Sequence, residues 1–279
     1  MFVLLGFCGL ELYVGFCSIF VLEAFLIDRR INLCSKICGG GGLVSFRSGR
    51  DLDRSGCSAD VLIAALNEEE GIGLTLAEIS RSIVPGRLLV VDGHSSDRTV
   101  EVAKDLGAEV LFQDGLGKGN AIAKAVTCRS FESDFVVITD ADFTYPAEYI
   151  PEMIRILVEN PRVGMVCGNR FNASAEDEAF RNVFYFGNKL LAVSHSLLNR
   201  VEMQDPLTGL RVVRSRILKE WDVKSKSFDI EVELNSHVKR KGFEIVEIPI
   251  KYRKRLGEKK LRVSHGVTIL KRILLESAY

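Results

Sequence analysis

The sequence predicts an α/β protein built on a doubly wound, mostly parallel sheet. Three observations predict it. Short apolar runs recur from Asp60 onward, each the length of a buried parallel strand and too short for a helix. Longer stretches with helical features separate them, which is the order of βαβ units. Polar, mostly acidic residues stand directly after the runs, at the strand ends where open α/β sheets bind ligands.

Each element follows in turn. Asp60 to Leu66 (DVLIAAL) is the first strand. Asn67-Glu68-Glu69-Glu70 ends it, and because acidic residues favour a helix start, a helix runs to about Ser82. Leu88 to Val91 is the second strand; Asp92-Gly93-His94-Ser95-Ser96-Asp97 closes it, and Thr99 to Leu106 is helical. Ala108 to Phe112 is the third strand. The glycine loop Gly115-Leu116-Gly117-Lys118-Gly119 then opens a helix at Asn120. Phe135 to Thr139 is the fourth strand, followed by Asp140-Ala141-Asp142 and a helix near Pro146 to Val158. Phe180 to Leu198 keeps a helical period with Arg181 on it. Val267, Leu270, Ile273 and Leu274 mark an amphipathic C-terminal helix. That helix suits either a membrane interface or packing on the domain.

Apolar residues make up 47% of the 279, which excludes a disordered chain. Lys+Arg and Asp+Glu are 37 each, so the formal net charge is zero, but the distribution is uneven. His237 to Arg272 holds 12 basic and 3 acidic residues, and Lys251 to Arg262 alone holds seven cations. An acidic body with a basic C-terminal stretch points to a phosphate-bearing partner or a membrane surface. No aromatic stacking set accompanies the charges, so nucleic acid is not the expected partner.

Residues 1–58 differ from the rest. Five of the seven cysteines lie there, without a regular framework, which suggests free thiols in a reducing compartment. Cys34 and Cys38 have no second pair to complete a metal site. Phe2 to Ile27 is apolar but interrupted by Glu11 and Glu23; Arg29 and Arg30 follow, which would leave the remaining chain at the cytoplasmic face. Gly39 to Gly42 begins a linker. Two readings stand: a membrane anchor, or sequence upstream of a start near Val44 or Val61. Residues 59–279 form the expected catalytic domain.

Three strand ends bring Asn67-Glu68, Asp92 and the Asp140/Asp142 pair to one rim. Hard carboxylate oxygens of that kind suit Mg2+ or Mn2+ beside a diphosphate. Alone, the Asp140/Asp142 spacing is more often a helix-capping turn with solvated carboxylates. Alone, the glycine loop is a common turn. A Walker A loop is absent, and no GxGxxG follows the first strand. His195, His237 and His265 lack the partners of a Ser-His-Asp arrangement.

The segments AALNEEE, VVDGHSSDRT, GLGKGNA, TDADFTYPAE, GNR, DPLTGLR, FDIEVEL and IPIKYRKRLGEKKL occur in one order. In that order the chain resembles glycosyltransferase family 2, and within it the dolichyl-phosphate hexose synthases of archaeal type, from about Asp60 to Leu275. The resemblance implies a GT-A fold with a Rossmann-like nucleotide-binding half. It also implies an inverting, Mg2+- or Mn2+-dependent transfer of a sugar from a GDP- or UDP-sugar to dolichyl (polyprenyl) phosphate. Ala65, Asn67, Glu68, Asp92, Gly117, Lys118, Gly119, Asp140 and Ala141 would bind the nucleotide. Asp140 and Asp142 would hold the metal, and with Asp205 and Arg211 form the catalytic set, Thr208 and Gly209 belonging to the same floor. Arg170, Arg181, Arg253, Arg255, Lys259 and Lys260 would take the acceptor phosphate. The family usually carries a second carboxylate where Gly93 stands, so the base or ribose contact there is open. A third metal ligand at Thr144 is open as well. A family 2 enzyme acting on a lipid-linked oligosaccharide or a cell-surface glycan is the alternative, and a non-catalytic sugar-nucleotide-binding scaffold is another.

Overall fold

A computed structural model describes residues 57–128, 131–171, 183–260 and 264–278. The N-terminal apolar segment and Arg181 lie outside the described residues. The elements run β1 (Ala59–Ala65), α1 (Glu69–Ser82), β2 (Leu88–Asp92), α2 (Thr99–Asp105), β3 (Glu109–Phe112), α3 (Lys118–Cys128) and β4 (Phe135–Asp140). After a short 3-10 turn (Ala147–Tyr149) come α4 (Ile150–Glu159), β5 (Val163–Asn169), α5 (Val183–Asn199) and β6 (Arg211–Arg214). The chain finishes with α6 (Ser215–Lys219), α7 (Ile230–Arg240), β7 (Glu244–Pro249) and α8 (Ser264–Glu276). The helix expected from Pro146 is split, because Pro151 sits in the first turn of α4, where its fixed φ starts a new helix.

One seven-stranded sheet has the order β3-β2-β1-β4-β6-β5-β7. All pairings are parallel except those of β6, which runs antiparallel to both β4 and β5. Alternate side chains of β1 explain the two layers. Val61 and Ile63 face Ile72, Leu76 and Ile79 of α1 and Met153 of α4. Leu62 faces the opposite core, with Ala121 and Ile122 of α3 and Ile230 and Leu234 of α7. Leu62 is fully buried, and truncation of such a side chain costs roughly 2–5 kcal/mol.

Register places the site. Ala65 pairs with Asp92, Ala64 with Asp140, and Asp92 with Phe112, so the strands end at one level. The reversed β6 pairs Arg211 with Ile138 near the end of β4. Its incoming loop, Asp205 to Leu210, therefore reaches the same rim. β7 pairs Pro249 with Asn169, which sends the basic segment after it out from that level too.

The C-terminal helix packs on the domain by one face: Ile269 and Ile273 meet Leu191 of α5 and Val232 of α7. Val267, Leu270 and Leu274 stay exposed. Within this layer His195 is fully buried, and its Nδ1 accepts from the Asn199 amide at 2.8 Å. Burial, with the Arg211 charge adding to it, pushes the His195 pKa down to about 3. The folded state thus resists a proton that the unfolded chain takes near pH 6.5, so stability falls as the pH drops from 6.5 toward 3. The slope reaches at most about 1.4 kcal/mol per pH unit. Unfolding in urea at several pH values should show the stability gap between wild type and His195→Leu narrowing on acidification. A gap independent of pH would exclude a buried neutral imidazole.

Candidate active site

Asp140 ends β4, and Asp142 follows in a turn clamped from two sides. Thr144 donates to Asp142 Oδ1 through its N–H at 3.2 Å and its Oγ1 at 2.6 Å. Helix α1 presses on the turn from behind. Thr75 Oγ1 donates to the Ala141 carbonyl at 3.2 Å and accepts from the Phe143 N–H at 3.1 Å. Gly71 makes this approach possible, since a Cβ there would stand 2.7 Å from the Ala141 oxygen. Phe143 takes a left-handed φ of 63°, unusual for a side chain of its bulk. Burial, reinforced by the Asp140 charge, raises the Asp142 pKa; Thr144 and Arg255 pull against it.

Two cations face the pair. Lys118 Nζ lies 2.6 Å from Asp140 Oδ1 and 2.7 Å from Glu231 Oε1 on α7. Burial disfavours its charge, but Asp140 and Glu231 outweigh that and raise its pKa, so it stays an ammonium. Gly117 and Gly119 flank it because residues 225–226 pack directly on the loop: a Cβ would meet Lys226 O at 2.4 Å or Ser225 O at 2.5 Å. Arg255 reaches Asp142 Oδ2 with Nη1 at 2.5 Å and Glu68 Oε1 with Nη2. Lys260 adds contacts of 3.0 Å to Glu68 Oε1 and 2.7 Å to the Asn67 carbonyl. Burial raises the Glu68 pKa while Lys260 and Arg255 lower it in part.

The strap that carries these cations, residues 250–260, is tied to the carboxylate turn through its backbone. The Arg253 N–H donates to Thr144 O at 2.9 Å and the Leu256 N–H to Asp142 O at 3.3 Å. The Arg253 side chain is engaged bidentately by Glu78, 2.7 Å on each arm, and lies over the Phe143 ring. Burial, with Arg255 beside it, lowers the Lys259 pKa.

Between strap and sheet lies a cavity of about 660 Å³, a size that holds a small organic ligand. Ala65, Gly93, Gln113, Lys118, Arg255 and Lys260 are among the residues that line it. Asp140 and Asp142 are not among the lining residues, whereas Lys118 and Arg255, which contact them, are.

Beside the cavity, Arg170 grips Asp205 with two bonds of 2.7 Å, and its backbone N–H adds a third at 3.0 Å. Glu247 accepts the N–H groups of Gln204 and Asp205 at 2.7 and 2.8 Å, fixing the loop. Burial pushes the Glu247 pKa up to about 7, against the pull of those N–H groups. Gly209 brings the loop against Asp140: a Cβ there would stand 2.4 Å from Asp140 Oδ2.

Other expected site residues lie elsewhere. Asp92 is fully buried and spends both oxygens on Ser95, at 2.8 Å and 2.5 Å, shaping the loop instead of lining the cavity. Arg211 is buried under the Asp205–Leu210 loop, donating to the carbonyls of Thr208 and Pro206 at 2.9 and 2.7 Å and to Asn235 Oδ1 at 2.5 Å. Asn67 is exposed and accepts the Ser96 N–H at 2.8 Å. Ala141 is buried in the turn. Glu231 and Glu247 were not anticipated as site residues. Their signal was available, an acid in the first turn of α7 and acids inside the strand EIVEIP, since a buried acid needs partners.

A model of the family described as glycosyl transferase family 2 matches residues 60–221. A dolichyl-phosphate hexose transferase of Haloferax volcanii is 37% identical over 205 residues, covering 72% of this chain and 85% of the relative. The glycosyltransferase AglJ of the same organism is 29% identical over 192 residues, 69% of this chain and 62% of the relative. Among solved structures, glucosyl-3-phosphoglycerate synthase from Mycobacterium tuberculosis, crystallised with Mn2+, UDP and glucosyl-3-phosphoglycerate, superposes with a TM-score of 0.67. It is 19% identical, with 85% of this chain and 87% of the other covered. That likeness is one of fold, and the fold is of GT-A type.

Breaking a buried ion pair leaves its survivor uncompensated. Asp205→Ala should therefore destabilise the protein by about 3–5 kcal/mol in urea unfolding. Adding Arg170→Met should recover part of the loss. Equal stability of single and double variants would mean that the Arg170 charge is not the source of the cost.

Proposed function

We propose that this chain, which belongs to glycosyl transferase family 2, transfers a hexose from a nucleotide sugar to dolichyl (polyprenyl) phosphate with inversion. Mg2+ or Mn2+ would be held by Asp140 and Asp142. The observation that carries this reading is the cation-walled cavity backed by the Asp140/Asp142 pair. The 37% identity to a protein named for a dolichyl-phosphate hexose activity supports the acceptor.

The donor set fits such an ion. Among the described residues no group of three or more His, Cys, Asp or Glu is placed to hold a metal. Two carboxylates, one pinned by Thr144, suit a hard cation that keeps waters and takes further oxygens from a diphosphate. When bound, that cation would neutralise charge on the leaving diphosphate.

In the reaction, an acceptor phosphate oxygen forms the new bond to the anomeric carbon as the bond from that carbon to the diphosphate breaks. The electron pair leaves with the nucleoside diphosphate. A phosphate acceptor is already ionised near neutral pH, so no strong base is required of the protein. Its task is positioning and charge stabilisation. Arg255 suits this work, because a planar fork that now grips two carboxylates has the geometry to grip a phosphate. Lys259 and Lys260 stand on the same wall. The Asp205–Arg170 pair and the buried Arg211 shape the floor from below.

The lipid acceptor places the reaction at a membrane surface. No helix among the described residues is long and apolar enough to cross one. The exposed Val267, Leu270 and Leu274 of α8, next to Lys271, are suited to an interfacial contact, and the cytoplasmic face is the side assigned here.

Purified protein with labelled GDP- and UDP-sugars, dolichyl phosphate and Mg2+ or Mn2+ should yield labelled lipid. Asp140→Asn should cut the yield roughly 100-fold or more. No labelled lipid from any donor, with folded protein, would overturn the acceptor; label on a lipid-linked oligosaccharide instead would reassign it. Arg255 and the metal address the same Asp142. Arg255→Gln should therefore tighten Mn2+ binding to nucleotide-free protein by about tenfold, read by electron paramagnetic resonance, while slowing transfer. Unchanged or weaker Mn2+ binding would contradict that competition.

A further inference from the structure

We propose that Arg272, on the C-terminal helix α8, is a positioning residue for Lys118. It clasps residues 225–233, the segment against which Lys118 and its glycine loop are seated. The part that Lys118 plays in transfer rests on the reading above; the clasp itself does not.

Arg272 does not line the cavity. An arginine in an amphipathic helix usually serves as a solvated surface charge, yet this side chain is only 14% exposed. Its Nε donates to Asp229 Oδ2 at 2.8 Å. Its Nη2 stands 3.6 Å from Glu233 Oε2 and its Nη1 3.5 Å from Glu276 Oε1. One guanidinium thus serves three buried carboxylates, two of them at the start of α7 or within it. A lysine, as a single point charge, does not reproduce that fork.

Asp229 and Glu233 both turn back onto the loop before α7. Asp229 stands at the N-cap position but makes no side-chain capping bond there. Its Oδ1 accepts instead from Ser225 Oγ at 2.5 Å. Glu233 accepts the N–H groups of Lys224 and Ser225 at 2.7 and 2.6 Å, and Trp221 Nε1 at 3.1 Å. Residues 221–225 are therefore held by two carboxylates whose countercharge is Arg272. Without the guanidinium both would be buried charges lacking it, and relief requires them, with the loop they hold, to shift toward water.

That loop is the seat of Lys118. A Cβ on Gly119 would stand 2.5 Å from Ser225 O, and one on Gly117 2.4 Å from Lys226 O, so backbone rests on backbone with no side chain between. Glu231, which pairs with Lys118 Nζ at 2.7 Å, lies between Asp229 and Glu233 in the first turn of α7. The loop on which Lys118 rests and the carboxylate that pairs with it both belong to the segment that Arg272 holds. Contacts run from Arg272 to Lys118 without a gap, and a double-mutant cycle reads the coupling they carry.

Acetylation of the lysines of the full chain, followed by mass spectrometry, reads the position of Lys118 directly. Arg272→Met should speed labelling of Lys118 at least about fivefold, while Lys260, held by Glu68 on the strap, changes less than about twofold. Arg272→Lys should fall between wild type and Arg272→Met. Ser225→Ala, a smaller change, should speed Lys118 labelling about twofold and carries the test where Arg272→Met does not fold. In transfer assays Arg272→Met should lower kcat/KM about tenfold, but less than about twofold in a Lys118→Met background. Unchanged Lys118 labelling in folded variants, an equal rise at Lys260, or the full loss of transfer retained in the Lys118→Met background would overturn the proposal. Absence of transfer by wild type with any donor would overturn the transferase reading instead, and the labelling would still decide the clasp.

Discussion

Two carboxylates set two residues apart at the end of a buried strand cannot share a low-dielectric site without cations beside them. Much of the site's architecture follows from this requirement. Lys118 supplies one cation, and bringing it to Asp140 requires the glycine loop to lie flat against residues 225–226. Arg255 supplies the other, and holding it at Asp142 requires the strap to run over the cavity with backbone bonds to the turn. Each cation then needs a second carboxylate to stay in place: Glu231 for Lys118 and Glu68 for Arg255. Such pairs contribute little net stability because desolvation offsets their attraction, but removing one member is costly. Mutual neutralisation and the hydrogen bonds of the turn together hold these side chains in register.

The reversed strand β6 makes the second half of the site possible. In an all-parallel sheet the segment before a strand enters at the rim opposite the ligand. Running antiparallel between β4 and β5, β6 starts at the ligand rim, so the Asp205–Leu210 loop arrives beside Asp140. Gly209 must lack a side chain at that point because Asp140 occupies the space. Glu247 on β7 then locks the loop by its N–H groups, and Arg170, just past β5, closes on Asp205. Three neighbouring strands thus build one floor.

Much of this was legible in the sequence. The apolar runs and the acids that follow them located four strands and the rim, since burial dictates the run and solvent or ligand dictates what ends it. Proximity was legible but orientation was not. Asp92 stands at a strand end, yet the Ser95 turn folds back to take both its oxygens. Arg211 belongs to a conspicuous segment, yet as the first residue of β6 it points down among the carbonyls of its own loop. Spacing along a chain reports which residues reach a rim. Which of them face the ligand depends on local hydrogen-bond competition that no periodicity encodes. The short β6, four residues long, gave no periodic signal, and its direction is set by pairing rather than by its own residues.

The balanced composition gains a physical sense from these contacts. The basic C-terminal stretch and the acidic body do not form separate patches: Arg253, Arg255 and Lys260 lie directly on Glu78, Asp142 and Glu68. Charge is thus balanced at the level of single contacts inside the cavity. Under the proposed reaction, a nucleotide-sugar diphosphate and its divalent ion arrive as a nearly neutral unit. Asp140 and Asp142 would hold the ion and the Arg255 guanidinium would stand beside a phosphate, so charged contacts would be exchanged without net charge being buried. A cavity arranged in this way avoids the desolvation penalty that an empty acidic cleft would pay, and it keeps Arg255 and Lys260, the side chains proposed to bind phosphate, ordered in advance.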